Sequence, residues 1–117
     1  MVAALTVRDL AWGAQRDAPI LRDISFDVAP QEMVAILGPS GAGKTSLLHC
    51  LARANRPWRG VIQLHGDDLW GLAPGDAARR IAVVPQDVPA AYPFRVREVV
   101  MLGRAARRRG RDDRRDD

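Results

Sequence analysis

Apolar and polar positions alternate through LTVRDL (5–10), which predicts a short strand. ILRDISFDV (20–28) puts Ile24, Phe26 and Val28 on one face, the mark of a half-buried strand, and AWGAQRDAP between the two reads as a loop. After the turn APQE (29–32) the period changes. MVAIL (33–37) is a continuous apolar run, as expected of a strand buried on both faces in a parallel sheet. GPSGAGKTS (38–46) leads into KTSLLHCLARA (44–54), where Leu47, Leu48 and Leu51 share a helical stripe. Pro57 and Gly60 in NRPWRG punctuate the end of that helix. VIQLHG (61–66) predicts a strand, DDLWGLAPGD a loop leading into a short helix over AARR, and IAVV (81–84) a second buried strand. PQDVPAAYPF (85–94) is a loop, and VREVVMLGRAA (96–106) predicts a helix burying Val96, Val99 and Val100. Strands of antiparallel type followed by strand–loop–helix units give an α/β fold class.

Composition narrows this picture. With 117 residues, 47% hydrophobic and 27% charged, the chain is one globular domain or less. No apolar run approaches the ~18 residues of a membrane span. The start MVAALTVRDL lacks the basic and apolar regions of a signal peptide, which favours the cytoplasm. Cys50 falls inside a helical apolar pattern and reads as a small core residue. Most of the net charge of +4 lies in the arginine-rich stretch from 104 to the end, so 105–117 is expected to be a charged, disordered tail. That charge has no interleaved aromatic residues, which argues against nucleic-acid binding.

One position stands out chemically. Lysine and arginine together number 18, and a single lysine, Lys44, is among them. A bias toward arginine strips lysine from generic surface positions. Lysine persists where a compact point charge on a flexible stem is needed and a wide planar fork would not fit. Gly38, Gly43, Lys44 and Thr45 match G-x-x-x-x-G-K-[ST], between an apolar strand pattern and an apolar helix pattern. In such a loop, successive backbone N–H groups make an anion nest, glycines allow the close approach, and the helix N-terminus adds positive potential. Lys44 would reach the β- and γ-phosphates and the Thr45 hydroxyl would sit on Mg²⁺. The candidate nucleotide-binding residues of this motif are Gly38, Pro39, Ser40, Gly41, Ala42, Gly43, Lys44 and Thr45.

Around that loop the sequence resembles the ATP-binding subunits of ATP-binding cassette (ABC) transporters. PILRDISFDVAPQEMVAILGPSGAGKTSLL, RGVIQLHGDDL and IAVVPQ carry the resemblance, which runs from residue 5 to about 104. DLWGLAPGDAARRIAVVPQ and FRVREVVMLGR resemble the branch serving import of iron–siderophores, haem and cobalamin; Arg95 stands where that branch usually opens its helix with threonine. The resemblance implies a partial P-loop domain over 1–104, with antiparallel strands at the N-terminus and parallel core strands with helices after them. It implies ATP and Mg²⁺ as cofactors. Gln86 becomes the Q-loop glutamine that contacts Mg²⁺ or the attacking water and, with Lys44, the second catalytic candidate. Trp12 stands where the family stacks an aromatic residue on adenine, and Ser46 matches a hydroxyl that contacts an α-phosphate oxygen. The partners implied are transmembrane permease subunits and a second nucleotide-binding subunit, with the protein cytoplasmic and peripheral on the inner face of the membrane.

The same family completes its hydrolytic site with a signature motif resembling L-S-G-G-Q, an acidic strand and a later histidine. None of these occurs in the 117 residues, so enzymatic activity stays open and the chain reads as the front part of a longer domain. Two other readings remain. One is a compact P-loop nucleotide kinase, although strands precede the loop here. The other is a non-functional truncated product whose basic tail binds nucleic acid.

Overall fold

The computed structural model describes residues 2–85 and 95–97. They fall into two compact units, divided between Leu72 and Ala73. In the first unit, β1 (Leu5–Trp12), β2 (Leu21–Val28), β3 (Arg59–Leu64) and β4 (Asp67–Asp68) form one four-stranded sheet in the order β2-β1-β3-β4. All its pairings are antiparallel. Helix α1 (Lys44–Leu51) lies between β2 and β3 in the chain, and a short 3-10 turn, Leu69–Gly71, follows β4.

β1 is central, and its sequence explains its register. Simple alternation would put Leu5, Val7 and then Asp9 on the inner face. Instead Asp9 takes a left-handed φ of 52°, and the pairing shifts between Val7 and Leu10 on one side and between Arg8 and Ala11 on the other. This bulge keeps the carboxylate outside and returns the phase, so Val7, Leu10 and Ala11 are all buried. Ser25 Oγ accepts the Asp9 N–H at 2.9 Å. Across the bulge sits Gly60, with φ 97°, where a Cβ would lie 2.6 Å from the carbonyl oxygens of both Arg8 and Asp9. Gly60 is therefore a strand residue shaped for the bulge, where sequence punctuation had suggested a helix end.

The rest of the first unit follows from local chemistry. Arg8 and Asp27 pair across β1 and β2 at 2.8 Å, and the hydrogen bond from Arg8 holds the Asp27 carboxyl below its ordinary value. His65 and Gly66, both at positive φ, make the two-residue turn that pairs Leu64 with Asp67 and Gln63 with Asp68. Ile62, Leu69, Leu21, Leu47 and Cys50 complete the core. Burial pushes the Cys50 thiol up, which keeps it neutral and consistent with a packing role. Ile24, Phe26 and Val28 are half-buried as their alternation predicts. On α1, Leu47 and Cys50 face inward while Leu48 is 52% exposed, so the inner stripe is narrower than the leucine pattern suggests.

Two predicted core strands differ from expectation. Residues 33–37 and 81–84 carry no ladder among the described residues. Met33 is 97% exposed, Leu37 89% and Val84 93%. A strand exists only with a partner, so an apolar run with no neighbour to pair with stays irregular however strong its propensity. In the second unit, α2 (Pro74–Arg80) begins earlier than AARR suggested because Pro74 occupies the first turn, where proline is favoured. Asp76 in that turn and Arg79 and Arg80 in the last complement the helix dipole. Val96 and Arg97 are helical, with Val96 81% exposed rather than buried. The remainder of the predicted 96–106 helix, the loop 86–94 and the 105–117 tail lie outside the described residues.

Candidate functional site

The loop 38–46 closes on itself through its own backbone. Gly41 and Gly43 adopt left-handed φ values of 84° and 96°, angles that glycine takes without the strain an L side chain would meet. Ala42 N–H donates to the Pro39 carbonyl at 3.2 Å. Gly43 is the N-cap of α1, and its carbonyl accepts the first helical bond from Leu47 N at 2.9 Å. The first turn of α1 holds no acidic residue and no side chain caps it, so its N–H groups keep their positive end outward. Lys44 Nζ folds back over the loop and donates to the carbonyl of Gly38 and, at 3.3 Å, to that of Pro39. Thr45 is exposed on the first turn and Ser46 is half-buried beside it. Pro39, Ser40, Gly41 and Ala42 form the exposed rim.

This arrangement suits a polyphosphate: an exposed backbone curve, a cation on a movable stem and two hydroxyls at a helix start. Among the described residues no cluster of three or more His, Cys, Asp or Glu could hold a metal by itself. A divalent ion here would be shared between a bound phosphate and the Thr45 hydroxyl, a donor set that fits Mg²⁺.

Both ends of α1 are tied to other elements. At the start, a Cβ on Gly43 would stand 3.0 Å from Ile20 Cγ2 and 3.0 Å from Leu21 Cδ2, so the loop abuts the entry to β2. Leu21 pairs with Trp12 across β1 and β2, and cross-strand partners share a sheet face. Trp12, half-buried, is thus on the face whose Leu21 touches the phosphate loop. At the far end, Arg53 donates to the Leu72 carbonyl at 3.0 Å and lies 5.3 Å from the Trp70 ring centroid, with Arg56 at 5.6 Å. The Trp70 indole N–H beneath them is buried without a partner among the described residues. Sequence reasoning did not single out Ile20, Leu21, Arg53 or Trp70, because each acts through a contact that no local spacing encodes. Gln86 lies outside the described residues.

Comparisons with known proteins bear on the family and the fold. A sequence model of the family described as ABC transporter matches residues 21–116. The hemin import ATP-binding protein HmuV of Nocardia farcinica is 46% identical over 86 residues, covering 74% of this chain and 30% of that protein. The protein of the same name in Bradyrhizobium diazoefficiens is 40% identical over 114 residues, covering 95% of this chain and 42% of its own length. The cobalamin import ATP-binding protein BtuD of Halobacterium salinarum is 40% identical over 85 residues, covering 73% of this chain and 21% of that protein. Among solved structures, an ATP-binding subunit of an ABC transporter superposes with a TM-score of 0.77 at 30% identity, over 88% of this chain and 42% of that one. A bacterial Atm1-family ABC exporter with ATP bound superposes with a TM-score of 0.68 at 37% identity, over 74% of this chain and 16% of the other. The chain thus spans between 16% and 42% of the length of these relatives. Its fold is α/β, of the ABC ATPase type, and by the family match and these identities the chain belongs to the ABC transporter family.

Proposed function

We propose that this chain binds Mg-ATP through the loop 38–46 and is the front part of the ATP-binding component of an importer. The observation that carries the reading is the loop itself: left-handed Gly41 and Gly43, an α1 start with no acidic residue, and Lys44 held over the loop by its carbonyls. Lys44 exchanges those carbonyls for β- and γ-phosphate oxygens. Thr45 holds Mg²⁺, Ser46 meets the α-phosphate and Trp12 stacks on adenine. Bound Mg²⁺ supplies charge neutralisation between the phosphates.

Relatives named for hemin and cobalamin import support a solute of this class, and the proposal for the whole protein is uptake of an iron–siderophore, haem or cobalamin. Its partners are permease subunits and a second nucleotide-binding subunit, and it works on the inner face of the membrane. For that whole protein, Gln86 is proposed to contact Mg²⁺ or the attacking water. No helix among the described residues is long and apolar enough to cross a membrane.

Titration of ATP against the full chain, with and without Mg²⁺, tests the reading. Wild type should bind more tightly with Mg²⁺, and Thr45→Ala should lose most of that Mg²⁺ enhancement while keeping metal-free binding. Equal Mg²⁺ enhancement in both would remove Thr45 from the metal site.

A further inference from the structure

Trp58 precedes β3 and is 41% exposed, so little core burial explains it. Its contacts converge on one place. Its backbone N–H donates to the Ala11 carbonyl at 2.8 Å. Its ring edge lies against Gly13, where a Cβ would come within 2.8 Å of Cη2 and 2.9 Å of Cζ2. Ala11 and Gly13 are the two chain neighbours of Trp12. Trp58 therefore holds the residue before Trp12 by its main chain and the residue after it by its side chain. On the other edge, the Trp12 carbonyl accepts the Ile20 N–H at 2.8 Å. Gly13 is buried under this cover even though it opens a loop.

A glycine next to a ligand-stacking residue is a hinge unless something limits it. A Cβ at 13 would meet the Ala18 carbonyl oxygen at 2.3 Å on one side and the Trp58 ring on the other, so the ring closes the side that the backbone leaves open and narrows the conformations of Gly13. We propose that Trp58 is a positioning residue for the base subsite: by clamping Ala11 and Gly13 it presets the orientation of Trp12. This rests on the reading that Trp12 stacks on adenine. Preorganised stacking surfaces bind more tightly because less ordering is left to do on association. The effect is confined to ligands that carry a base, because the phosphates meet the chain at 38–46.

The test is calorimetric titration of the full chain with Mg-ATP and, separately, with Mg-tripolyphosphate, for wild type, Trp58→Ala, Trp58→Phe and Trp12→Ala. Trp58→Ala should weaken ATP by about three- to tenfold, the size of an aromatic contact, and leave tripolyphosphate unchanged. Trp58→Phe should restore most of the ATP affinity. A change shared equally by both ligands would mean that Trp58 only supports the fold, and would overturn the inference. If Trp58→Ala does not fold, Trp58→Leu is measured in its place against the same criterion. Trp12→Ala separates the two levels of argument. A lowered ATP-to-tripolyphosphate ratio in Trp12→Ala, with Trp58→Ala unchanged, overturns the role of Trp58 alone. An unchanged ratio in Trp12→Ala removes the base subsite reading and this inference with it.

Discussion

Replacing Gly43 with alanine probes how the phosphate loop is held to the sheet. The residue sits at φ 96°, ψ 12°, and an L side chain in the left-handed region costs about 1–2 kcal/mol. The new Cβ would also stand 3.0 Å from Ile20 Cγ2 and Leu21 Cδ2, inside the ~3.5–4.0 Å of a relaxed carbon contact. Leu21 is 3% exposed and cannot swing into solvent, so crowding adds about 1–3 kcal/mol. Gly41 is the internal control: its φ is 84°, with nothing among the described residues within 4 Å of a Cβ, so Gly41→Ala should cost only the backbone share. The expected order is Gly43→Ala less stable than Gly41→Ala by about 1–3 kcal/mol, roughly 4–8 °C in melting temperature per kcal/mol for a small domain. Urea and thermal denaturation of both variants measure it. Ile20→Ala, at a position 43% exposed, should recover part of the Gly43→Ala loss in a double-mutant cycle. Equal destabilisation of the two glycine variants, or strict additivity with Ile20→Ala, would refute the claim that Gly43 is packed against the start of β2.

Other expectations follow from single contacts. Arg53 has φ 63° just past α1, where glycine is favoured, yet it also caps Leu72 and lies over Trp70; Arg53→Gly should therefore be more stable than Arg53→Ala by about 1 kcal/mol, and the reverse order in urea melts would show that φ is not strained. Asp27 has its folded pKa lowered by the hydrogen bond from Arg8, so its contribution is complete above the unfolded carboxylate value and is lost as pH falls through the lower folded value. Asp27→Asn at low salt should flatten the acid limb of the stability profile over that window, and an unchanged limb would exclude the pair as its source. The exposed Met33, Leu37 and Val84 should make the purified chain self-associate; Met33→Lys with Val84→Lys should shift sedimentation toward monomer, and unchanged association would place the contact elsewhere.

The sequence was most legible where the signal is local. GPSGAGKT specifies a loop, a helix start and a chemistry within a few residues, and the alternation of β2 is visible in ISFDV. Contacts between distant segments were less legible. Nothing near Asp9 announces a bulge, and nothing near Gly60 announces that it faces one; the two make sense only once β1 and β3 pair. MVAIL and IAVV were read from hydrophobicity as strands, but a ladder depends on a neighbour as much as on the run. Trp58 was passed over because its meaning lies in Gly13, a residue without a side chain. The orientation of Leu48 was missed because three leucines at helical spacing do not say how wide the buried stripe is.

The central claim is that Lys44 and the loop around it bind the phosphates of a nucleotide. Calorimetric titration of the full chain with Mg-ATP, comparing wild type with Lys44→Ala, tests it most directly. Among the described residues Lys44 makes its hydrogen bonds only to the loop carbonyls of Gly38 and Pro39, so the substitution should leave the melting temperature within a degree or two, on the order of a minor surface change, and abolish measurable binding. Equal affinity in the two proteins, with both folded, would contradict the account.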